Sequence, residues 1–344
     1  MRALVYSDLQ ATDGHERCFA DPSRSLQLWR IDRFFKELKR IYREQKCDAL
    51  FDLGDTTDDR SAIPVPVIDL LCDHLKEFKG EWNLKLVGNH EQWLRSPKIH
   101  AGKMFRAFFH VVDGCEAIPC GKVNILCISY QDDERSITDF LRLNRPKRPA
   151  LLLGHFQVAG CQMPTGTAAG GFSKEALDFV NIGLLGHIHK PQALGKLHYI
   201  GSPFQQDWGE SGEAKRVAIV DIQGGRIDVS WVPLEGFPAY RQVSLDDFLV
   251  SVKADSEDRY KVVLKDIAEA ERYYAHPLAN RADEAIYDFE MTVAGNKEGE
   301  VGNQPIPRSK QDIMLRYLKQ NPPQNVGIVL EDDTMLAYGD QISK

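Results

Sequence analysis

Two histidines one residue apart close an apolar run in "LLGHIHKP" (184–191). Four other segments also put polar donors just past an apolar run. Asp8 follows "ALVYS", Asp55 and Asp58 stand in "GDTTDD", Asn89 and His90 in "GNHE", and His155 ends "LLLGH". Together they offer carboxylates, an amide oxygen and imidazoles. That mixed oxygen–nitrogen set suits hard to borderline divalent cations such as Mn2+, Fe2+ or Zn2+ rather than a thiolate-bound metal. In a residual β conformation, residues i and i+2 point the same way. His187 and His189 can then address one pocket while Ile188 turns into the core, giving one imidazole to each of two cations.

Donors so far apart in the chain need a scaffold that gathers them. The spacing predicts strands over 3–8, 49–54, 84–89, 123–129, 150–155, 182–187, 197–202, 216–222 and 227–234. Several are continuous apolar runs, the pattern of strands buried on both faces. Leu28, Ile31, Phe35, Leu38 and Tyr42 form one helical stripe, and Ile68, Leu71, Leu75 and Phe78 a second. The alternation reads as a layered α/β domain. In such sheets ligands bind outside the carboxyl ends of the strands, which is where the donors fall. The pattern weakens near "PLEGFPAY" (233–240), giving a boundary between residues 1–235 and 236–344. Beyond it a strand (260–264), a helix (268–275), a strand (285–293), a Gly/Asn/Pro-rich loop (294–307) and a helix (309–320) are expected.

The order D…GD…GNHE…GH…GHxH resembles the calcineurin-like metallophosphoesterase superfamily over about residues 1–235. The resemblance implies a two-sheet α/β sandwich core, here followed by a small C-terminal α+β capping domain. It implies two divalent metal ions, Mn2+ foremost, with Mg2+, Fe2+ and Zn2+ as alternatives. Asp8 would bind the first metal, Asp55 would bridge, Asn89, His155 and His187 would bind the second, and His189 would return to the first. His90 would act in catalysis by protonating the leaving oxygen or stabilising the transition state. Such a centre performs in-line phosphoryl displacement. One position departs from the pattern: where the family has Asp-x-His, this chain has Asp8-Leu9-Gln10. Gln10 binds through its amide oxygen, or a water or a side chain such as His15 fills in, or the first site is weak. A working site with altered affinity is the expectation.

"HYIGSPFQQDWGE" (198–210) and "VPLEGFPAY" further resemble SbcD-type double-strand-break-repair nucleases of bacteria and phages. That resemblance implies exonuclease and endonuclease activity on DNA, an SbcC-like coiled-coil ATPase as partner, and a homodimer. "SKQDIMLRYLKQ", with Ile313, Met314, Tyr317 and Leu318 on one side, is the candidate docking helix. Phosphate contacts need basic groups. Trp93, Arg95, Lys98, Lys103 and Arg106 follow the GNHE segment, Arg142, Arg145, Lys147 and Arg148 form a second cluster, and Arg33, Lys36, Arg40 and Arg43 a third. A rival reading is a stand-alone phosphodiesterase or phosphatase on a small phosphoester. A third is a DNA-binding subunit whose chemistry decayed at Gln10.

Composition sets outer limits. The net charge of −7 does not advertise nucleic-acid binding, and the acidity sits in residues 236–344, with 13 Lys and Arg against 19 Asp and Glu. No stretch nears the roughly 20 apolar residues of a membrane span, and no signal peptide is visible. Seven cysteines without a CxxC pair point to reduced thiols and a cytoplasmic protein.

Overall fold

The computed structural model describes residues 1–16, 18, 20–95, 98–145, 147–163, 167–281 and 284–287. Strands β1 (Arg2–Tyr6), β2 (Ala49–Asp52), β3 (Leu84–Leu86) and β4 (His110–Val112) run parallel. Strands β5 (Cys115–Cys120), β6 (Val123–Ile128), β7 (Ala150–His155), β8 (Ile182–Gly186), β9 (Gln192–Leu194) and β10 (Leu197–Tyr199) build a second sheet in the order β5-β6-β7-β8-β10-β9. Strands β11 (Lys215–Gln223) and β12 (Arg226–Leu234) return antiparallel to the first sheet, whose order is β12-β11-β1-β2-β3-β4. The result is a sandwich of two six-stranded mixed sheets.

Strand alternation divides the side chains between layers. Ala3, Val5, Ala49, Phe51 and Leu53 meet Ile125, Cys127, Leu151 and Leu153 of the facing sheet in one buried cluster. Leu4, Tyr6 and Leu50 point the other way, onto α1 (Leu26–Glu44) and α2 (Val65–Leu75). Leu126, Ile128 and Leu152 pack against Ile137 and Leu141 of α3 (Glu134–Leu143). Helix α1 starts where the Ser25 hydroxyl accepts from the Leu28 amide at 3.2 Å, satisfying one of the free amides of its first turn.

From Tyr240 a third sheet follows, of parallel strands β13 (Tyr240–Ser244), β14 (Arg259–Leu264) and β15 (Glu284–Tyr287). Helices α4 (Leu245–Ser251) and α5 (Ile267–Ala275) cover it around Phe248, Tyr260, Val262 and Tyr273. Tyr240 ties this sheet to the sandwich: its amide donates to Gln205 Oε1 at 2.8 Å and its hydroxyl to the Gln206 carbonyl at 2.7 Å. The expected helix over 309–320, with Ile313, Met314, Tyr317 and Leu318, lies outside the described residues, as does the loop 294–307.

The seven cysteines are free thiols. Among the described residues no helix is long and apolar enough to cross a membrane.

Two sequence expectations need correction. The strands expected over 3–8, 49–54 and 84–89, which lead to Asp8, Asp55 and Asn89, stop early, at Tyr6, Asp52 and Leu86. The donors sit in the turns beyond, where Asp8 and Asp55 take left-handed backbone (φ 54° in both) that no strand accommodates. The chain also leaves β conformation at His187 (φ 85°), so strand alternation is not what would turn His187 and His189 toward one pocket.

Candidate metal centre

The carboxyl ends of β1, β2, β3, β7 and β8 converge on one rim. One ligand atom from each of Asp8, Asp55 and His155 lies within 4.8 Å of the others, and all three residues are buried. Asn89 Oδ1 stands 3.2 Å from His155 Nε2 and 2.7 Å from His187 Nδ1. Asp55 Oδ2 is 3.3 Å from the same His155 nitrogen. The structure therefore brings together Asp55, Asn89, His155 and His187. Asp8 joins them through the His187 amide, which donates to its two carboxylate oxygens at 2.9 and 3.1 Å.

The turns pack too tightly for side chains between them. A Cβ on Gly88 would stand 2.0 Å from Asp55 Oδ1, and one on Gly54 2.7 Å from His155 Nδ1. Glycine at these points lets the two ligand-bearing turns touch.

Hydrogen bonding sets the imidazoles. His155 Nδ1 lies 2.7 Å from the Leu53 carbonyl, which can only accept, so that nitrogen carries the proton. Nε2 then faces two oxygens with its lone pair, an arrangement that calls for a cation in the gap. Burial opposes a charge on His155, yet Asp55 and Asp8 push its pKa up to about 9, the mark of a strongly negative surrounding. Burial and the neighbouring His155 push His187 down to about 3, leaving a neutral ring. Burial raises the Asp8 carboxyl, while His155 and His189 pull it the other way. Burial also acts against the Asp55 carboxylate, but His155 and His90 hold it well below the ordinary range. Two buried carboxylates, an amide oxygen and imidazoles with one nitrogen pinned fit divalent cations.

His189 turns to a different partner. Its Nδ1 lies 2.8 Å from Glu210 Oε1, which leaves Nε2 as its one nitrogen without that tie. Glu210 is itself buried, with Oε2 accepting from Ser202 Oγ at 2.8 Å and Lys215 Nζ at 2.6 Å. Burial opposes protonation of His189, but the bond to Glu210 prevails and raises it. A carboxylate behind a ligating histidine fixes its tautomer and raises its basicity. In the sequence this "GE" belongs only to a resemblance; its tie to His189 is a three-dimensional fact. Gln206 was likewise not singled out, yet its Nε2 donates to the Asp8 carbonyl at 2.8 Å.

Gln10 is half-buried in left-handed backbone (φ 46°), its amide donating to the Asp55 carbonyl at 2.8 Å. It thus stands next to the centre, whereas His15 is exposed. His90 is anchored by Nδ1 to the Asp58 carbonyl at 2.8 Å, and its amide donates to Asp55 Oδ1 at 2.8 Å. The bond to Asp58 pushes its pKa up to about 9 against the effect of burial, so Nε2 keeps a proton near neutrality. Tyr130, missed in the sequence because no polar motif marks it, sets its ring 5.6 Å from that of His187.

Many of the basic side chains expected to meet phosphate already have partners within the protein. On α1, Lys36 pairs with Asp32, Arg40 with Glu37 and Glu44, and Arg43 with Glu77, while Arg33 lies over the Trp29 and Phe237 rings. Arg142 pairs with Asp139, Arg145 covers the Phe179 ring, and Arg148 donates to the Gly121 carbonyl. Next to GNHE, Arg106 meets Asp113 and Lys103 donates to the Lys98 carbonyl. The Arg95 side chain lies outside the described residues. Trp93 and Leu94, three and four residues beyond His90 in the chain, remain 41% and 80% exposed.

A buried two-sheet sandwich with a donor rim at its strand ends defines a class, and the family comparison places the chain in it. Residues 1–191 match the calcineurin-like phosphoesterase family, and the chain belongs to that family. The family's chemistry is hydrolysis of phosphoesters with the help of metal ions. No curated protein matches the chain. Among solved structures it is similar to a dimetal phosphatase from Danio rerio, at 11% identity and a TM-score of 0.43, covering 68% of this chain and 99% of that one.

Proposed function

We propose that this protein is a metal-dependent DNA nuclease subunit that cleaves phosphodiester bonds at a centre built from Asp8, Gln10, Asp55, Asn89, His155, His187 and His189. The observation that carries the reading is the convergence of Asp55, Asn89, His155 and His187 donor atoms at 2.7–3.3 Å, with His90 anchored beside them. A pair of divalent cations, Mn2+ foremost, supplies Lewis-acid polarisation and charge neutralisation for the displacement. The chain's own residues do the rest. Asp8 and Asp55 supply the charge that holds the pair. Leu53 and Glu210 orient His155 and His189. The Asp58 carbonyl turns His90 so that Nε2 can hand its proton to the leaving oxygen.

DNA as substrate draws support from the resemblance of residues 198–210 to SbcD-type nucleases. The exposed Trp93, three residues beyond His90 in the chain, offers a base or sugar a ring to stack on. In the same reading the partner is an SbcC-like coiled-coil ATPase, the nuclease subunit is a homodimer, and residues 236–344 form the capping and docking unit. The pairing of the basic clusters favours the second reading, a phosphodiesterase on a small ester. Incubating the pure protein with Mn2+ and either duplex DNA ends or bis-p-nitrophenyl phosphate separates the two. Degradation of the duplex is expected; turnover of the small ester alone establishes the second reading.

A further inference from the structure

Directly beneath the candidate centre lies an ion cluster with no solvent access. Lys85, on β3, is fully buried, and its Nζ reaches Asp52 Oδ2 at 3.0 Å, Glu91 Oε1 at 2.8 Å and the Thr56 hydroxyl. An ammonium has three protons to give, and here three acceptors receive them. Each acceptor is in turn tied to a ligand-bearing turn. Asp52 Oδ1 accepts from the Gly54 amide at 2.9 Å, and Oδ2 from the Tyr6 hydroxyl at 2.9 Å. Glu91 Oε1 accepts from the Thr56 amide at 3.1 Å, and Oε2 from the Gly88 amide at 3.0 Å. Gly54 and Thr56 flank Asp55, Gly88 precedes Asn89, and Tyr6 stands two residues before Asp8.

Stability alone is a poor reason for such a cluster, because well-packed apolar residues often do as well at the same position. Its bonds run instead to the backbone of Asp55's turn, whose left-handed conformation is unfavourable and needs outside restraint. We propose that Lys85 is a positioning residue of the metal centre: through Asp52, Glu91 and Thr56 it locks the Asp55 and Asn89 turns in the ligating geometry. The proposal rests on the metal-centre reading above. Lys85 lies out of reach of any substrate and acts only through these neighbours.

The test compares Mn2+ affinity, by calorimetric titration, in the wild type, Lys85→Met, Thr56→Val and a control, Leu38→Ala. Leu38 is buried in the α1 layer and away from the rim. The same samples are examined by electron paramagnetic resonance for the coupled signal of a Mn2+ pair. Lys85→Met and Thr56→Val are expected to weaken Mn2+ binding by about 10- to 100-fold, the usual effect of removing support behind a ligand. The coupled signal should give way to that of isolated ions, while Leu38→Ala melts earlier with unchanged affinity. Should Lys85→Met fail to fold, Thr56→Val, which removes one hydroxyl and no charge, decides alone. Wild-type affinity and coupling in the folded variants overturn the proposal and leave the cluster a purely structural one. A wild type that binds no Mn2+ overturns the metal-centre reading itself, and this inference with it.

Discussion

At the residue scale, the site is a set of side chains each given one free donor atom by a bond to the other. His155 spends Nδ1 on Leu53, His189 spends it on Glu210, and His90 spends it on Asp58. These bonds yield distinct predictions. His90→Ala should lower kcat by about 10²- to 10⁴-fold, the usual worth of a general acid, with Mn2+ affinity kept; steady-state hydrolysis and titration check both halves. Glu210→Gln should weaken Mn2+ binding by about 10- to 100-fold, because an amide neither fixes the tautomer nor raises the basicity of His189 as a carboxylate does. Gln10→His should tighten the weaker of two binding steps, since imidazole is a better ligand than an amide oxygen for borderline cations. A titration in which both steps match the wild type would remove Gln10 from the site. Among the described residues, four of the six non-glycine residues in left-handed backbone are Asp8, Gln10, Asp55 and His187. Strain is thus concentrated at the proposed ligands, as happens where surrounding structure over-determines a functional turn.

At the element scale, the contact of α1 with α2 carries a titratable device. His74 is buried, stacked on Phe35 at 5.2 Å, and its Nε2 lies 2.9 Å from Asp32 Oδ1. Burial, helped by Lys39, lowers its pKa, so the fold holds the ring neutral while the unfolded chain binds the proton more readily. This contribution to stability is complete above the ordinary imidazole pKa of about 6.5 and is lost as the pH falls below it. The melting temperature of the wild type should therefore fall more between about pH 7.5 and about pH 5.5 than that of His74→Gln, which keeps a donor for Asp32 without the titration. Parallel melting curves at the two values would refute it. Elements with long apolar runs were legible in the sequence: the buried β7, β8 and β11, and α1 with its single stripe. Of the short or half-exposed ones, β3, β10 and β12 were legible too, but others were not. β5 carries Pro119 and lies at a sheet edge, β4 and β9 span three residues each, and α3 shows only Ile137 and Leu141 buried. Donor types and chain order were legible because each donor follows a recognisable run. Within the basic stripes, the pairs of Lys36 with Asp32, Arg40 with Glu37 and Glu44, and Arg142 with Asp139 lie at i,i+3 or i,i+4 and were open to reading; those of Arg43 with Glu77 and Arg106 with Asp113 were not, because no local pattern joins the partners.

At the scale of the whole molecule, the third sheet is fastened where the site is made. Tyr240 opens β13 and bonds the backbone of Gln206, whose side chain holds the Asp8 carbonyl. The guanidinium of the buried Arg30 lies 5.7 Å from the Tyr240 ring and 5.9 Å from that of Phe204. Tyr240→Phe removes one hydroxyl bond and should cost about 1 kcal/mol of stability, read by chemical denaturation. If the coupling reaches Asp8, Mn2+ affinity drops in the same variant; affinity equal to the wild type would confine the role of Tyr240 to fastening.

The first sheet also dictates a schedule. β1 lies between β2 and β11, with Arg2 opposite Asp221, so the strand that leads to Asp8 stays half-paired until residues 215–223 arrive. On a ribosome that wait is on the order of 10–40 s. Cation loading is then a late event in the life of a nascent chain, and a truncation just short of β11 would leave the hydrolytic centre unassembled even though every donor residue had already been translated.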